Sequence, residues 1–158
     1  MKHLGKVLLI ALILIMPVAA SAIQITAGTD VIRSVDEAQY EGMINAYFQA
    51  EITSESALVF ALSVSSEATI IDGSYRHYLG KYQDGIYIQG GATLVLLDID
   101  NGDDDEEIGA FAQFGYETSP AEHFIVGVGA RMIIGYDHPH TGEKDPIFLP
   151  VVTFGFAF

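Results

Sequence analysis

The closing stretch, Ile147–Phe158, constrains the fold more than any other part of the chain. It reads IFLPVVTFGFAF, with Phe148, Val152, Phe154, Phe156 and Phe158 on one parity and Thr153, Gly155 and Ala157 on the other. A β-strand sends successive side chains to opposite faces, so this is a ribbon with one aromatic face and one small face. The sequence ends on Phe158 with no polar tail after it. In water such a ribbon is an aggregation edge. In a closed barrel surrounded by lipid its aromatic face has a solvent and its backbone has partners on both sides.

The same alternation recurs from residue 23 onward. Eight ribbons are expected, at about 23–32, 42–52, 57–65, 69–79, 85–98, 107–117, 123–136 and 147–158. Each is close to the roughly 9–11 residues that a tilted transmembrane strand requires. In the second, Ile44, Ala46, Phe48, Ala50 and Ile52 oppose Asn45, Tyr47, Gln49 and Glu51. In the seventh, Phe124, Val126, Val128, Ala130, Met132 and Ile134 oppose Gly127, Gly129 and Arg131. A soluble sandwich also alternates, but its exposed face carries charges at many positions. Here one face is apolar throughout, while the other holds both the charges and the small residues. That is the pattern of strands with lipid outside and polar groups inside.

The connections alternate in kind. Residues 53–56, 80–84 and 118–122 are short and rich in turn formers, the last with Ser119-Pro120 as its turn signal. Residues 33–41, 99–106 and 137–146 are longer and more charged, and 66–68 is a short exception. Arg33 opens the first long connection and is read as a surface loop charge. Short turns on the periplasmic side and long loops outside is the outer-membrane arrangement.

Residues 1–22 read as a secretory signal peptide: Lys2 and Lys6, an apolar run from Val7 to Ala19, and the small-residue site Ala20-Ser21-Ala22. The run is too short for an anchor helix. Residues 23–158 then form a single barrel domain. Loss of the two lysines moves the formal charge from −14 to −16, which argues against nucleic acid as a partner. With no cysteine there is neither a disulfide nor a lipid-anchored N-terminus. Barrel closure is the remaining way to remove the sheet edges.

At this point the chain resembles the small eight-stranded outer-membrane barrels of Gram-negative bacteria, the OmpA-barrel and OmpX type. The likeness rests on strand number, loop alternation, the hairpin SYRHYLG…DGIYIQGG at 74–91 and the terminal FGFAF. It implies an all-β, antiparallel up-and-down transmembrane barrel in the cell outer membrane. Outer-membrane lipid and lipopolysaccharide would be its surroundings. It also implies that Phe154, Phe156 and Phe158 form the signal read by the barrel-assembly machinery. Members of this group include adhesins, structural anchors and lipid A-modifying enzymes.

The candidate chemistry lies inside the barrel and in the loops. By parity Asp30, Glu51, Asp72, Arg76, Glu117 and Arg131 point into the lumen. An eight-stranded barrel is just wide enough for side chains to fill it, so these charges are expected to pair as a plug, with Arg76 and Arg131 bridging the acids. The family's lipid A deacylases place a His and a Ser two apart on one strand face. Here Ser74 and His77 are three apart, so no local pair supplies a nucleophile and its base. Asp98, Asp100, Asp103, Asp104 and Asp105 make an acidic loop that is a candidate site for divalent cations, although its spacing is not that of an EF-hand. His138 and His140, with Glu143 and Asp145, form a second loop cluster of metal-ligating types. No cofactor is called for. The leading function is a filled outer-membrane barrel acting in envelope structure or in surface interaction through its outer loops. A rim enzyme acting on lipid A or phospholipid, and a narrow solute channel, are the alternatives.

Overall fold

In a computed structural model the described residues are 24–35, 42–66, 68–97, 105–135 and 146–158. Eight strands form a closed barrel in sequence order: β1 (Ile25–Asp30), β2 (Ile44–Thr53), β3 (Ser56–Val64), β4 (Ala68–Tyr78), β5 (Gly85–Leu97), β6 (Asp105–Ala121), β7 (Phe124–Ile134) and β8 (Ile147–Ala157). A short helix, α1 (Val31–Val35), follows β1. Every neighbour is antiparallel, and β1 pairs with β8 to close the sheet on itself. This is the architecture the alternation implied. Closure satisfies the edge hydrogen bonds that an open sheet would leave bare.

The split between faces is consistent around the wall. Thr26, Gln49, Ser63, Asp72, Arg76, Gln89, Gln113, Glu117 and Arg131 are buried inside. Phe48, Ile88, Phe114, Val128, Phe148, Phe154 and Phe156 face out, Phe114 at 62% exposure and Val128 at 50%. A soluble barrel does the opposite and buries its large apolar side chains. Here the polar side chains are packed in the interior and the apolar ones have only the surroundings to meet.

At one end lie the turns Ser54-Glu55 and Glu122-His123, the 79–84 connection, and Ile25 hydrogen-bonded to Phe158. This is the turn end; the opposite one is the loop end. The sequence placed the sixth turn at 118–122, but β6 runs on to Ala121 through a register shift between Thr118 and Ala121. Pro120, which has no N–H to give, sits where that bulge interrupts the ladder. The turn itself is Glu122-His123, with His123 at φ +67°.

Aromatic rings lie across the inner wall where the opposing strand has glycine. A Cβ on Gly115 would stand 2.5 Å from the Val128 carbonyl oxygen and 2.6 Å from the Tyr87 hydroxyl. Gly28 and Gly155 leave the same kind of room for Tyr47. These glycines are needed for close approach, and they let an eight-stranded lumen hold tyrosines.

Candidate functional site

The lumen is stacked in layers. At the loop end Met43, Ala68, Ile70, Val95, Phe111, Ile133 and Ile147 form an apolar cluster, with Leu97 and Leu149 packed against it. Below it Asp72 Oδ2 accepts from Arg131 Nη1 at 2.7 Å and from Arg33 Nη2 at 2.8 Å. Arg33 Nη1 also donates to Ser63 Oγ at 2.9 Å, and its Nε lies 4.0 Å from Asp30 Oδ2. The Arg131 guanidinium lies over the Phe111 ring, 4.3 Å from its centre.

Toward the turn end a second cluster is built around Arg76. Its Nη1 donates to Glu117 at 3.1 and 3.2 Å and to Gln49 Oε1 at 2.8 Å, and its Nε donates to Gln89 Oε1 at 2.8 Å. Tyr78 donates its hydroxyl to Glu117 and accepts from Gln49 Nε2 at 2.8 Å. Gln113 joins the two clusters: its Oε1 accepts from Arg131 Nε at 3.0 Å and its Nε2 donates to the Tyr87 hydroxyl at 2.7 Å. The Tyr87 ring in turn lies 4.1 Å beneath the Arg76 guanidinium.

Between the clusters is a cavity of about 30 Å³, lined by Asp72, Arg76, Arg131, Tyr47, Ser74 and Thr153 among others. That volume holds roughly one or two waters. The Tyr47 hydroxyl and Asp72 Oδ1 make no hydrogen bond of normal geometry to the described residues, and ordered water is the ordinary partner for such buried atoms. The floor is the 79–84 connection, folded under the barrel. Tyr82 packs edge-on against Tyr78 with ring centres 5.4 Å apart, and buried Gln83 donates to Thr26. Burial pushes the Tyr82 hydroxyl up to about 12.

Asp30, Asp72, Arg76, Glu117 and Arg131 all stand in this network or at its edge. Glu51 has the inward parity but sits partly exposed at the turn end, and it makes no ion pair among the described residues. Arg33 corrects the sequence reading. It is not a surface loop charge but a buried residue of α1, paired with Asp72. The helix forms because β1 stops at Asp30, whose Oδ1 accepts from the Ile32 amide at 3.1 Å and caps the turn. The one available signal was arithmetic: parity put four acids in the lumen against two arginines.

Ser74 faces inward, its Oγ donating to the Val59 carbonyl at 3.2 Å and accepting from Gln89 Nε2 at 2.7 Å, while His77 is on the outer face. The two do not meet. Asp98, Asp100, Asp103 and Asp104 lie outside the described residues, as do His138, His140, Glu143 and Asp145. Asp105 opens β6, its backbone opposite Leu97. Among the described residues no group of three or more His, Asp or Glu could hold a metal ion. The terminal phenylalanines face out and are partnered: Phe154 stacks with Phe124 at 6.0 Å, and Phe156 with His123 at 5.7 Å.

No protein-family model and no curated protein sequence matches this chain. A solved structure does: the N-terminal β-barrel domain of Pseudomonas aeruginosa OprF, at 12% identity and a TM-score of 0.60, over 87% of this chain and 98% of that one. At that identity the likeness is one of fold, and the fold is the small eight-stranded barrel of the OmpA type.

Proposed function

We propose that the protein is an integral outer-membrane barrel with a filled lumen, acting in envelope structure or in surface interaction through the connections at its loop end. One observation carries the reading: the barrel is inverted. Ionised side chains are packed inside, and a continuous belt of Phe, Ile, Val and Tyr faces out. That belt in water would be an exposed apolar surface far beyond what a soluble monomer tolerates, whereas lipid is its natural solvent.

The lumen supports a plug rather than a channel. It is crossed by two ionic layers and closed by apolar side chains at one end and by Tyr82 and Gln83 at the other. Lipid and lipopolysaccharide are the partners of the outer face. The acidic run from Asp98 to Asp105 joins β5 to β6 at the loop end, where lipopolysaccharide phosphates and their divalent cations would be met. The aromatic ribbon of Phe154, Phe156 and Phe158 is the part offered to the assembly machinery.

Fractionation of cells with heat-modifiable gel migration tests the placement. The unheated protein should run as a compact species in the outer-membrane fraction; recovery in detergent-free soluble extract would sink the reading. Deletion of Phe158 should sharply lower the amount of folded barrel in that fraction, and normal levels would remove the ribbon from its assembly role.

A further inference from the structure

Where its two layers meet, the plug has more hydrogen-bond donors than acceptors. Arg76 and Arg131 both border the central cavity, and both are buried. A guanidinium carries N–H groups on all three of its nitrogens. Arg76 spends Nε on Gln89 and Nη1 on Gln49, Glu117 and Tyr78. Arg131 spends Nε on Gln113 and Nη1 on Asp72. The Nη2 group of each has no acceptor among the described residues. The Tyr47 hydroxyl borders the same cavity and makes no hydrogen bond of normal geometry to those residues.

The acceptors nearby are already taken. Gln89 Oε1 and Gln113 Oε1 receive the two Nε groups. Both oxygens of Glu117 accept from Arg76, and one of them also from Tyr78. Asp72 Oδ2 accepts from two guanidinium groups, so the charge of that carboxylate is met even though its Oδ1 is bare. A buried N–H of a charged group left without an acceptor is costly. The cavity therefore calls for a species that accepts several hydrogen bonds and needs to donate none. Water accepts, but it must also donate, and most acceptors around it are spent. A volume of about 30 Å³, room for roughly one or two waters, is too small for phosphate, sulfate or a carboxylate.

We propose that the lumen binds one monovalent anion of halide size, such as chloride, between Arg76 and Arg131, with the Tyr47 hydroxyl as a further donor. The anion ties the Asp72 layer to the Glu117 layer, beside the link that Gln113 already makes. Both ends of the lumen are closed, so it is taken up as the barrel folds. This holds whichever envelope role the barrel serves.

The test is urea unfolding and refolding in micelles at fixed ionic strength, with gluconate replaced stepwise by chloride. A site present only in the folded state raises the midpoint as chloride is added, and the folded-to-unfolded ratio grows about hundredfold at a hundredfold excess over the dissociation constant. Ala61 is on the cavity wall, so A61L narrows the site and leaves both arginines in place. It should lose the chloride-dependent rise, whereas an effect of anions at the surface would persist. A midpoint indifferent to chloride, or an equal rise in A61L, would overturn the site. If A61L does not refold, crystals of the unsubstituted barrel grown in bromide decide. An anomalous peak within hydrogen-bonding distance of Arg76 Nη2 and Arg131 Nη2 is expected, and its absence would overturn the proposal.

Discussion

Replacing Glu117 by Gln should destabilise the barrel more than almost any other isosteric change. Glu117 is 0% exposed and Arg76 is 3% exposed. The substitution keeps the volume and one acceptor oxygen but removes the only opposite charge that Arg76 has among the described residues. What remains around the guanidinium is Gln49 Oε1, Gln89 Oε1, the Tyr78 hydroxyl and the Tyr87 ring. These are neutral, and the desolvated ring contact is worth about 2 kcal/mol. Breaking a buried pair from one side costs about 3–5 kcal/mol, against a total stability of about 5–15 kcal/mol. With a urea slope of about 1–3 kcal/mol per molar, the midpoint should fall by roughly 1–5 M. R76M should cost about as much, since it leaves Glu117 with Tyr78 alone. The double variant R76M/E117Q removes both charges and should cost less than the two singles together by at least about 2 kcal/mol. The chain has no tryptophan, so unfolding from micelles is followed by far-UV circular dichroism and by gel migration. A change within about 0.5 kcal/mol for E117Q, or additive singles, would refute the assignment of this pair as the core of the plug.

Three further outcomes are expected. Val128 lies near the middle of β7 on the outer face, so Val128→Arg should cost roughly 2–4 kcal/mol in a bilayer, measured by reversible unfolding from vesicles, and no penalty would place that face away from lipid. Gly115→Ala drives a methyl into the Val128 carbonyl and the Tyr87 hydroxyl and should cost about 1–3 kcal/mol, while Gly90→Ala, with nothing nearer than 3.9 Å, should be close to neutral in the same assay. Tyr82 is raised to about 12 in the folded state from about 10 when unfolded, so its contribution is complete below pH 10 and is lost as pH rises toward 12. Urea midpoints of Tyr82→Phe should therefore fall less steeply than those of the parent across that window, and identical slopes would show that the hydroxyl is not held neutral.

The inversion of the barrel also explains why so small a lumen carries so much charge. Outside, the apolar belt needs no specific geometry. Inside, eight strands leave room for side chains but not for bulk water. A charge there survives only with a partner, and the partners come from non-adjacent strands: Arg76 and Glu117 are on β4 and β6, Asp72 and Arg131 on β4 and β7. The plug therefore ties non-adjacent strands together across the bore, which backbone pairing between neighbours cannot do.

The inward and outward faces were legible before any coordinates. Side-chain direction in a strand repeats every two residues, so the parity of Phe154 against Thr153, or of Val128 against Arg131, follows from local geometry alone. Strand number and the alternation of short and long connections are local for the same reason. What parity cannot supply is height. Whether Arg76 meets Glu117 or Asp72 depends on the stagger of strands around a closed sheet, and stagger is a property of the whole barrel. Glu51 shares the parity of Gln49 yet sits at the turn end and makes no ion pair among the described residues. The bulge that carries β6 through Ser119-Pro120 depends on pairing with β7, since the sequence there reads as a turn. Arg33 shows the difference most plainly. Its neighbours in the chain look like the start of an exposed loop, and only the early end of β1 against longer β2 and β8 makes a gap through which its side chain reaches Asp72, 39 residues away.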